Sequence, residues 1–492
     1  MSQPETLKYD HLLQECDLLI KAGKINSVVS LISKINLTKI PRNYRQSMAK
    51  LFRRAGLVNH GIRLLHPIIR GDKQLIEAPT PSEICEYSAL ISRIGSIKES
   101  LELLKDVNPV TNPEALLYSG FSHVLNWNYI EARKYFEQYL TLEIDNYSRL
   151  IAKVNLSACY VGSGDQVSAK VSIDETLQLA REAKSTRLQG NCLELRGQMN
   201  VLSFNFPEAK KDLKLAEEIF TSSQSYDALL TGKWQSIIAA FEMKSVEPIL
   251  SFRTSAEKQK HWESVRESDL FCLMISFDQR MFDQLIFGTP SNAYQKRACE
   301  LIRHEASEKL IWGDPAAGCI DLADCESESS AGLSAGKKLP QMLLALLKDL
   351  YAPRSVAALF SEVYSDEFFD IDSSPYRIRQ IIKRLRHWLE ENSYNVEIKY
   401  EPGGYRLLAK EGFSLLLRKD QTSASISVEI LLLSKLRTAF SGKGFCMAEA
   451  CNVLNISESG FHRFVRLWLQ KGLIEKSGKA RSTFYRIRQS SL

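Results

Sequence analysis

Three pairs of small residues, each twelve positions apart, constrain this chain more than any other feature: Gly120 and Ala132, Ser157 and Ala169, Gly197 and Ala209. Apolar residues recur around them at helical spacing, with Leu116, Tyr129, Phe136 and Tyr139 about the first pair, Leu156, Tyr160 and Ile173 about the second, and Leu213 and Ala216 about the third. Two helices that cross at such a step meet where neither carries a bulky side chain, so each unit reads as a packed helix pair. Residues 9–302 show few strand signals, and the units follow one another about every 33 to 41 residues, the period of a helical solenoid. Gly23, Gly56 and Gly95 read as turns between weaker units, and beyond Asp227 the pattern is helical without a clear repeat. A solenoid buries the apolar face of each unit on its neighbours and leaves a long concave surface, suited to a protein or peptide partner. Trp127, Trp234 and Trp262 read as core residues of these units rather than as a ligand cage.

The last third is organised differently. A helix over 376–390 carries Arg377, Arg379, Lys383, Arg384 and Arg386 around an apolar stripe of Ile378, Ile381, Ile382, Leu385 and Leu389. That spacing buries one side and leaves the other positive. Ser374 and Pro375 supply a start signal, a capping hydroxyl followed by proline. Shorter helical patterns precede it at 341–350 and 355–364, and an alternating segment at 396–400 leads through Gly403 and Gly404 into 405–408, a hairpin. Short strands at 310–312 and 319–322 flank Pro315. Between 313 and 338 the composition shifts to Gly, Ala, Ser, Asp and Glu, which places a linker there. A second, similar order follows a polar linker at 420–427: helical patterns at 428–440, 447–454 and 458–470, then a hairpin over 476–487. In the longest of these helices Phe461, Val465 and Trp468 face inward by spacing, while His462, Arg463 and Arg466 face outward, and Lys476, Lys479 and Arg481 surround the hairpin tip.

These residues carry three resemblances. Gly120, Ala132 and Phe136 match the eighth, twentieth and twenty-fourth positions of the tetratricopeptide repeat, and Ser157 with Ala169 and Gly197 with Ala209 take the same places in the next units. The sequence Ile382-Lys383-Arg384-Leu385-Arg386, together with Leu359, Val363-Tyr364 and Gly404-Tyr405-Arg406-Leu407, resembles the OmpR/PhoB-type DNA-binding domain of bacterial response regulators. That likeness implies a winged helix in which Arg379, Gln380 and Lys383 face the major groove, with Arg377, Arg384 and Arg406 nearer phosphates and Arg386 on the same basic helix. Trp388 and Glu401 stand where that family carries basic residues. The turn Ile456-Ser457 and the exit Lys471-Gly472-Leu473-Ile474 resemble a MarR-like winged helix, which implies that Ser459, His462, Arg463 and Arg466 contact the groove.

The remaining sequence narrows the function. From residue 341 onward 23 Lys and Arg stand against 16 Asp and Glu, about +7, whereas the whole chain carries +6, so positive charge is concentrated in the last third. The ten cysteines lack metal-ligand or disulfide spacing and read as reduced, packed thiols. There is no Walker loop, no nucleotide-binding glycine fingerprint and no hydrolase elbow, so neither a cofactor, a metal nor an enzymatic activity is expected. No apolar run reaches membrane-spanning length, and residues 1–8 lack a signal-peptide pattern, which together give a cytoplasmic expectation. The fold expected is mainly α: a TPR-like helical-repeat solenoid over 1–308, an α+β winged helix-turn-helix domain over 309–410, and a second over 421–492. The function expected is a bacterial-type transcription regulator that binds double-stranded DNA, with a protein or peptide partner on the repeats and a homodimer left open. The alternative is a scaffold whose winged helices bind protein instead.

Overall fold

The computed structural model describes residues 3–21, 24–71, 77–222, 227–306, 309–313, 320–321, 338–391, 394–409, 414–418, 436, 439–440, 443–454, 458–470, 473–478 and 483–487. The described residues are mainly helical and form two compact units, Met1–Lys419 and Asp420–Leu492.

The first unit opens with α1 (Gln3–Lys21) and α2 (Ile25–Ile32), then runs as antiparallel helix pairs. These are α3 (Arg42–Arg54) with α4 (Val58–Ile69), α5 (Pro81–Arg93) with α6 (Ile97–Leu104), α7 (Glu114–Leu125) with α8 (Tyr129–Leu140), and α9 (Asn146–Ser163) with α10 (Gln166–Glu182). The series continues with α11 (Thr186–Leu202) and α12 (Phe206–Ser222), α13 (Ala228–Met243) and α14 (Glu247–Lys258), then α15 (Trp262–Ile275), α16 (Gln279–Phe287) and α17 (Asn292–Ile302). The twelve-residue step sits at the crossing within each pair. A Cβ on Gly120 would lie 2.7 Å from the Phe136 ring, one on Gly197 would lie 2.7 Å from Leu213, and Ala132, Ala169 and Ala209 are fully buried. Ser157 is small for a second reason, because its hydroxyl meets that of Ser172 at 2.8 Å. Small residues here let the backbones approach, and the apolar neighbours fill what remains.

One turn recurs between the helices of each pair. A residue with positive φ follows the first helix: Gly56, Gly95, Trp127, Gly164, Phe204 and Lys244 in successive pairs. The next N–H then donates back to the carbonyl five residues earlier, Leu57 to Phe52, Ser96 to Ile91, Asn128 to His123, Asp165 to Tyr160, Asn205 to Asn200 and Ser245 to Ala240, all within 2.8–3.0 Å. This is the Schellman closure, which satisfies carbonyls that the helix end would leave orphaned. Asn128 and Asp165 then serve as N-caps of α8 and α10, through Glu131 N–H and Ser168 N–H. Gly56 and Gly95 therefore mark turns, but inside the pairs α3–α4 and α5–α6 and not between units as the sequence suggested, whereas Gly23 lies outside the described residues.

After β1 (Lys309–Gly313) and β2 (Ile320–Asp321) come α18 (Lys338–Leu347), α19 (Val356–Val363), α20 (Ser374–Glu391), and the antiparallel hairpin of β3 (Val396–Glu401) and β4 (Gly404–Ala409). β5 (Ser414–Arg418) then joins β1 antiparallel and β2 parallel, so the two short strands read from the sequence pair through β5 and not with each other. Arg354, just before α19, exchanges backbone hydrogen bonds with Tyr405 at 2.8 and 2.9 Å and so adds a bridge to the hairpin. Gly404 lies so close under the Arg354 carbonyl that no side chain fits there. The start of α20 departs from the sequence reading. Ser374 is already helical and its hydroxyl accepts the Asp370 N–H at 2.9 Å, while the Asp370 carboxylate accepts from Asp372 and Ser373 N–H at 3.1 and 2.6 Å. The stronger acceptor, four residues upstream, organises the turn.

This three-helix set is gripped by the repeats at two distant places. At one, His66 Nε2 lies 2.9 Å from Asp370, Glu99 accepts the Phe369 N–H at 3.1 Å, Ser96 meets Ser361 at 3.2 Å, and the Ser355 hydroxyl donates to the Ile94 carbonyl. At the other, Arg266 on α15 reaches both carboxylate oxygens of Asp349 at 2.9 Å, Tyr351 donates to Asp269 at 2.8 Å, and the Leu350 N–H donates to the Gly288 carbonyl at 3.0 Å. A single apolar core runs from Phe52, Leu65 and Tyr87 to Leu346, Phe360 and Leu385. The linker expected at 313–338 lies almost wholly outside the described residues.

The second unit contains α21 (Met447–Leu454), α22 (Glu458–Gln470) and the antiparallel pair β6 (Ile474–Ser477) and β7 (Phe484–Ile487). Phe445, just before α21, bridges Tyr485 with hydrogen bonds of 2.9 and 2.8 Å, the same device as Arg354 and Tyr405. Phe461, Val465 and Trp468 are buried as their spacing requires, and Phe464 joins them. The turn at 455–457, and most of 428–440, lie outside the described residues.

Candidate functional site

The roll of α20 about its axis is set by burial. Ile378, Ile381, Ile382, Leu385 and Leu389 are each less than 5 % exposed, so the opposite side faces solvent. On that side Gln380, Lys383 and Arg384 are exposed and, among the described residues, make no hydrogen bond or ion pair. Arg379 is exposed, with its Nε donating to the Pro375 carbonyl at 3.1 Å. The other basic residues of the expected set are engaged. Arg377 donates to Glu367 at 2.5 and 3.0 Å and lies 3.9 Å from the Tyr364 ring centroid, and its hydrogen bond to Glu367 raises its pKa further. Arg386 donates to the Ile398 carbonyl at 3.1 and 2.5 Å, stitching α20 to β3. Arg406 lies with its guanidinium carbon 4.9 Å from the Trp262 ring centroid, and its Nε is buried without a partner. The hairpin arginine assigned to a phosphate by resemblance therefore lies against the repeats.

On α22, His462 and Arg466 are exposed. Ser459 and Arg463 belong to the same helix, but their side chains, like all of Lys479 and Arg481, lie outside the described residues.

The repeats contain a second feature that no sequence motif announced. A cavity of about 260 Å³ opens where α7 turns into α8, is walled by α9, α11, α13 and α15, and is crossed by α17. Trp127 and Trp234, read from the sequence as core, form part of its wall. Trp127 also meets Tyr294 edge-on at 4.5 Å, and the Trp234 indole donates to buried Glu194 at 2.7 Å. Burial raises the Glu194 carboxyl above its usual range, against the pull of Lys233 and Trp234. Glu267, on the wall, is tied to buried Lys233. Arg297 on α17 is half-buried, makes no hydrogen bond or ion pair among the described residues, and lies with its guanidinium directly against Gly164 in the turn after α9. Its pKa is lowered by burial, with the charge of Glu300 opposing. These residues come from helices spread over more than a hundred positions, so no local pattern joins them.

Among the described residues no helix is long and apolar enough to cross a membrane. No family model matches the chain, and no curated protein matches it. Among solved structures, the chain is similar to a Rap protein complexed with competence and sporulation factor, with a TM-score of 0.40 and 12% sequence identity, over 78% of this chain and 98% of that one. A likeness of that extent assigns neither family nor activity, and what stands on the chain's own geometry is a helical-repeat protein.

Proposed function

We propose that the chain is a DNA-binding transcription regulator in which α18–α20 with the β3–β4 hairpin, and α21–α22 with the β6–β7 hairpin, act as winged helices, while the repeats receive a partner or effector. The observation that carries this reading is the outward face of α20. There Gln380, Lys383 and Arg384 stand exposed and without a partner among the described residues, although Arg377, Arg386 and Arg406 are all used within the protein. Cations held on an exposed helix face without a protein partner suit phosphate oxygens or guanine edges in a major groove. Of the engaged arginines, Arg377 ties α20 to Glu367 and Arg386 ties it to β3.

The test uses the full chain and double-stranded DNA of mixed sequence. Binding should weaken steeply as salt rises, because each neutralised phosphate releases condensed counterions. Replacing both Lys383 and Arg384 by alanine should reduce the slope of log affinity against log salt by roughly one to two units. A second reading, a scaffold whose hairpins bind protein, is favoured by Arg406, which already uses the hairpin for a contact with Trp262. Salt-insensitive or absent DNA binding by the intact chain would select it.

A further inference from the structure

We infer that the cavity crossed by α17 is an effector site for a small organic acid, a carboxylate carried on a short aromatic or aliphatic body, with Arg297 as its counter-ion. The inference rests on the proposed role of the repeats as a receiver and names the chemistry of what they receive. Size is the first argument. About 260 Å³ is room for roughly nine waters at their liquid volume, hence for a ligand of about ten non-hydrogen atoms. A whole folded partner or long peptide does not fit inside it.

Polarity is the second argument. Trp127, Trp234, Phe271 and Leu301 supply apolar wall, as a small-molecule site requires. The polar groups around them fall into two sets. Glu267 is already satisfied by Lys233. Gln198, Lys296 and Arg297 also line the cavity and, among the described residues, make no hydrogen bond or ion pair, and the Tyr294 hydroxyl is buried without a partner there, the residue being 6% exposed. The unsatisfied groups are thus donors in excess: two cations, an amide and a phenol, against one free carboxylate, Glu300, which is exposed and makes no ion pair with Arg297. A planar guanidinium offers a two-pronged fit to a carboxylate, and a half-buried one gains more from it than an exposed one. Gly164 permits the approach, because any side chain there would collide with the guanidinium.

Isothermal titration of the full chain with phenylacetate, benzoate and hexanoate tests the assignment. At least one acid should bind saturably at millimolar concentration or below, and its primary amide should bind about tenfold more weakly or worse, the loss expected when a charge-assisted hydrogen bond is removed. Arg297→Met should weaken the acid by a similar factor while leaving the melting temperature of the free chain unchanged, and Glu300→Gln should tighten it. Equal binding of acid and amide, an unaffected Arg297→Met variant, or no binding by any of the three acids overturns the inference. Binding of N-acetyl-Leu-Phe as the free acid but none of the small acids also overturns it, and moves the carboxylate to a peptide C-terminus. DNA binding by the chain without acid is measured separately, so failure here and failure of the proposed function remain distinguishable.

Discussion

Trp127, Phe204 and Lys244 occupy the same left-handed turn position that Gly56, Gly95 and Gly164 fill elsewhere in the array. A residue with a Cβ is held there against a local cost of about 1–2 kcal/mol. Trp127 and Phe204 have compensation in ring contacts, with Tyr294 at 4.5 Å and Phe241 at 5.4 Å. Lys244 is exposed and, among the described residues, makes no hydrogen bond or ion pair through its side chain. Lys244→Gly should therefore stabilise the first unit by about 0.5–1 kcal/mol, the relief of strain less the extra entropy of an unfolded glycine, read as a shift in the denaturant midpoint. Gly120→Leu should do the opposite by driving a side chain into Phe136, and a loss of about 1–3 kcal/mol is expected for such overpacking. The small-residue steps were legible in the sequence because both members of each step belong to one helix pair. Arg406 and Arg297 were not, because Trp262 and Gly164, the groups they lie against, belong to segments remote in the chain.

At the level of single elements, α20 is the sharpest case. Leu385 is fully buried and Lys383 fully outward, two positions apart on one helix. Leu385→Ala should cost about 2–5 kcal/mol of stability. Lys383→Ala should leave the melting curve unchanged and weaken DNA binding by about 1–3 kcal/mol if it reaches a base. A stable Leu385→Ala with an unstable Lys383→Ala would contradict the observed roll. The inward stripe was readable because periodicity is a property of one helix, whereas the cap at its start was not, because Asp370 competes with Ser374 at a distance that a capping pattern does not consider. Asp370 also makes this end sensitive to acid. Burial would raise its pKa, but the Ser373 N–H and hydroxyl, and then His66, outweigh burial and hold the carboxyl below its usual value. A depressed folded pKa means that the support is present above the unfolded value of about 4 and is lost as pH falls through the lower folded one. Asp370→Asn should accordingly lower stability at pH 7 and flatten its pH dependence between about pH 5 and 3.

Across the whole first unit, the decisive contacts join residues that are far apart in sequence: Asp370 with His66, Phe369 with Glu99, Asp349 with Arg266. Arg266 is 1% exposed, and burial pulls its pKa down, but the charges of Glu263 and Asp349 outweigh burial and raise it. Arg266→Met leaves Asp349 buried without its partner and should cost about 3–5 kcal/mol, with hydrogen exchange rising first across 338–409. An engineered protease site at 328 offers a complementary check: the cut halves should co-elute in native gel filtration and separate only in denaturant. Composition and periodicity could not reveal this embrace, since they describe segments one at a time. It also alters what kind of object the array is. A stack of repeats that touch only their neighbours melts piecemeal and can begin folding anywhere. Here the earliest pairs to leave the ribosome are finished only when residues synthesised some three hundred positions later arrive, so vectorial synthesis must carry α4–α6 through a long interval with Tyr87 and Leu65 uncovered on one side, and the last step of folding is the one that makes the unit melt as a whole.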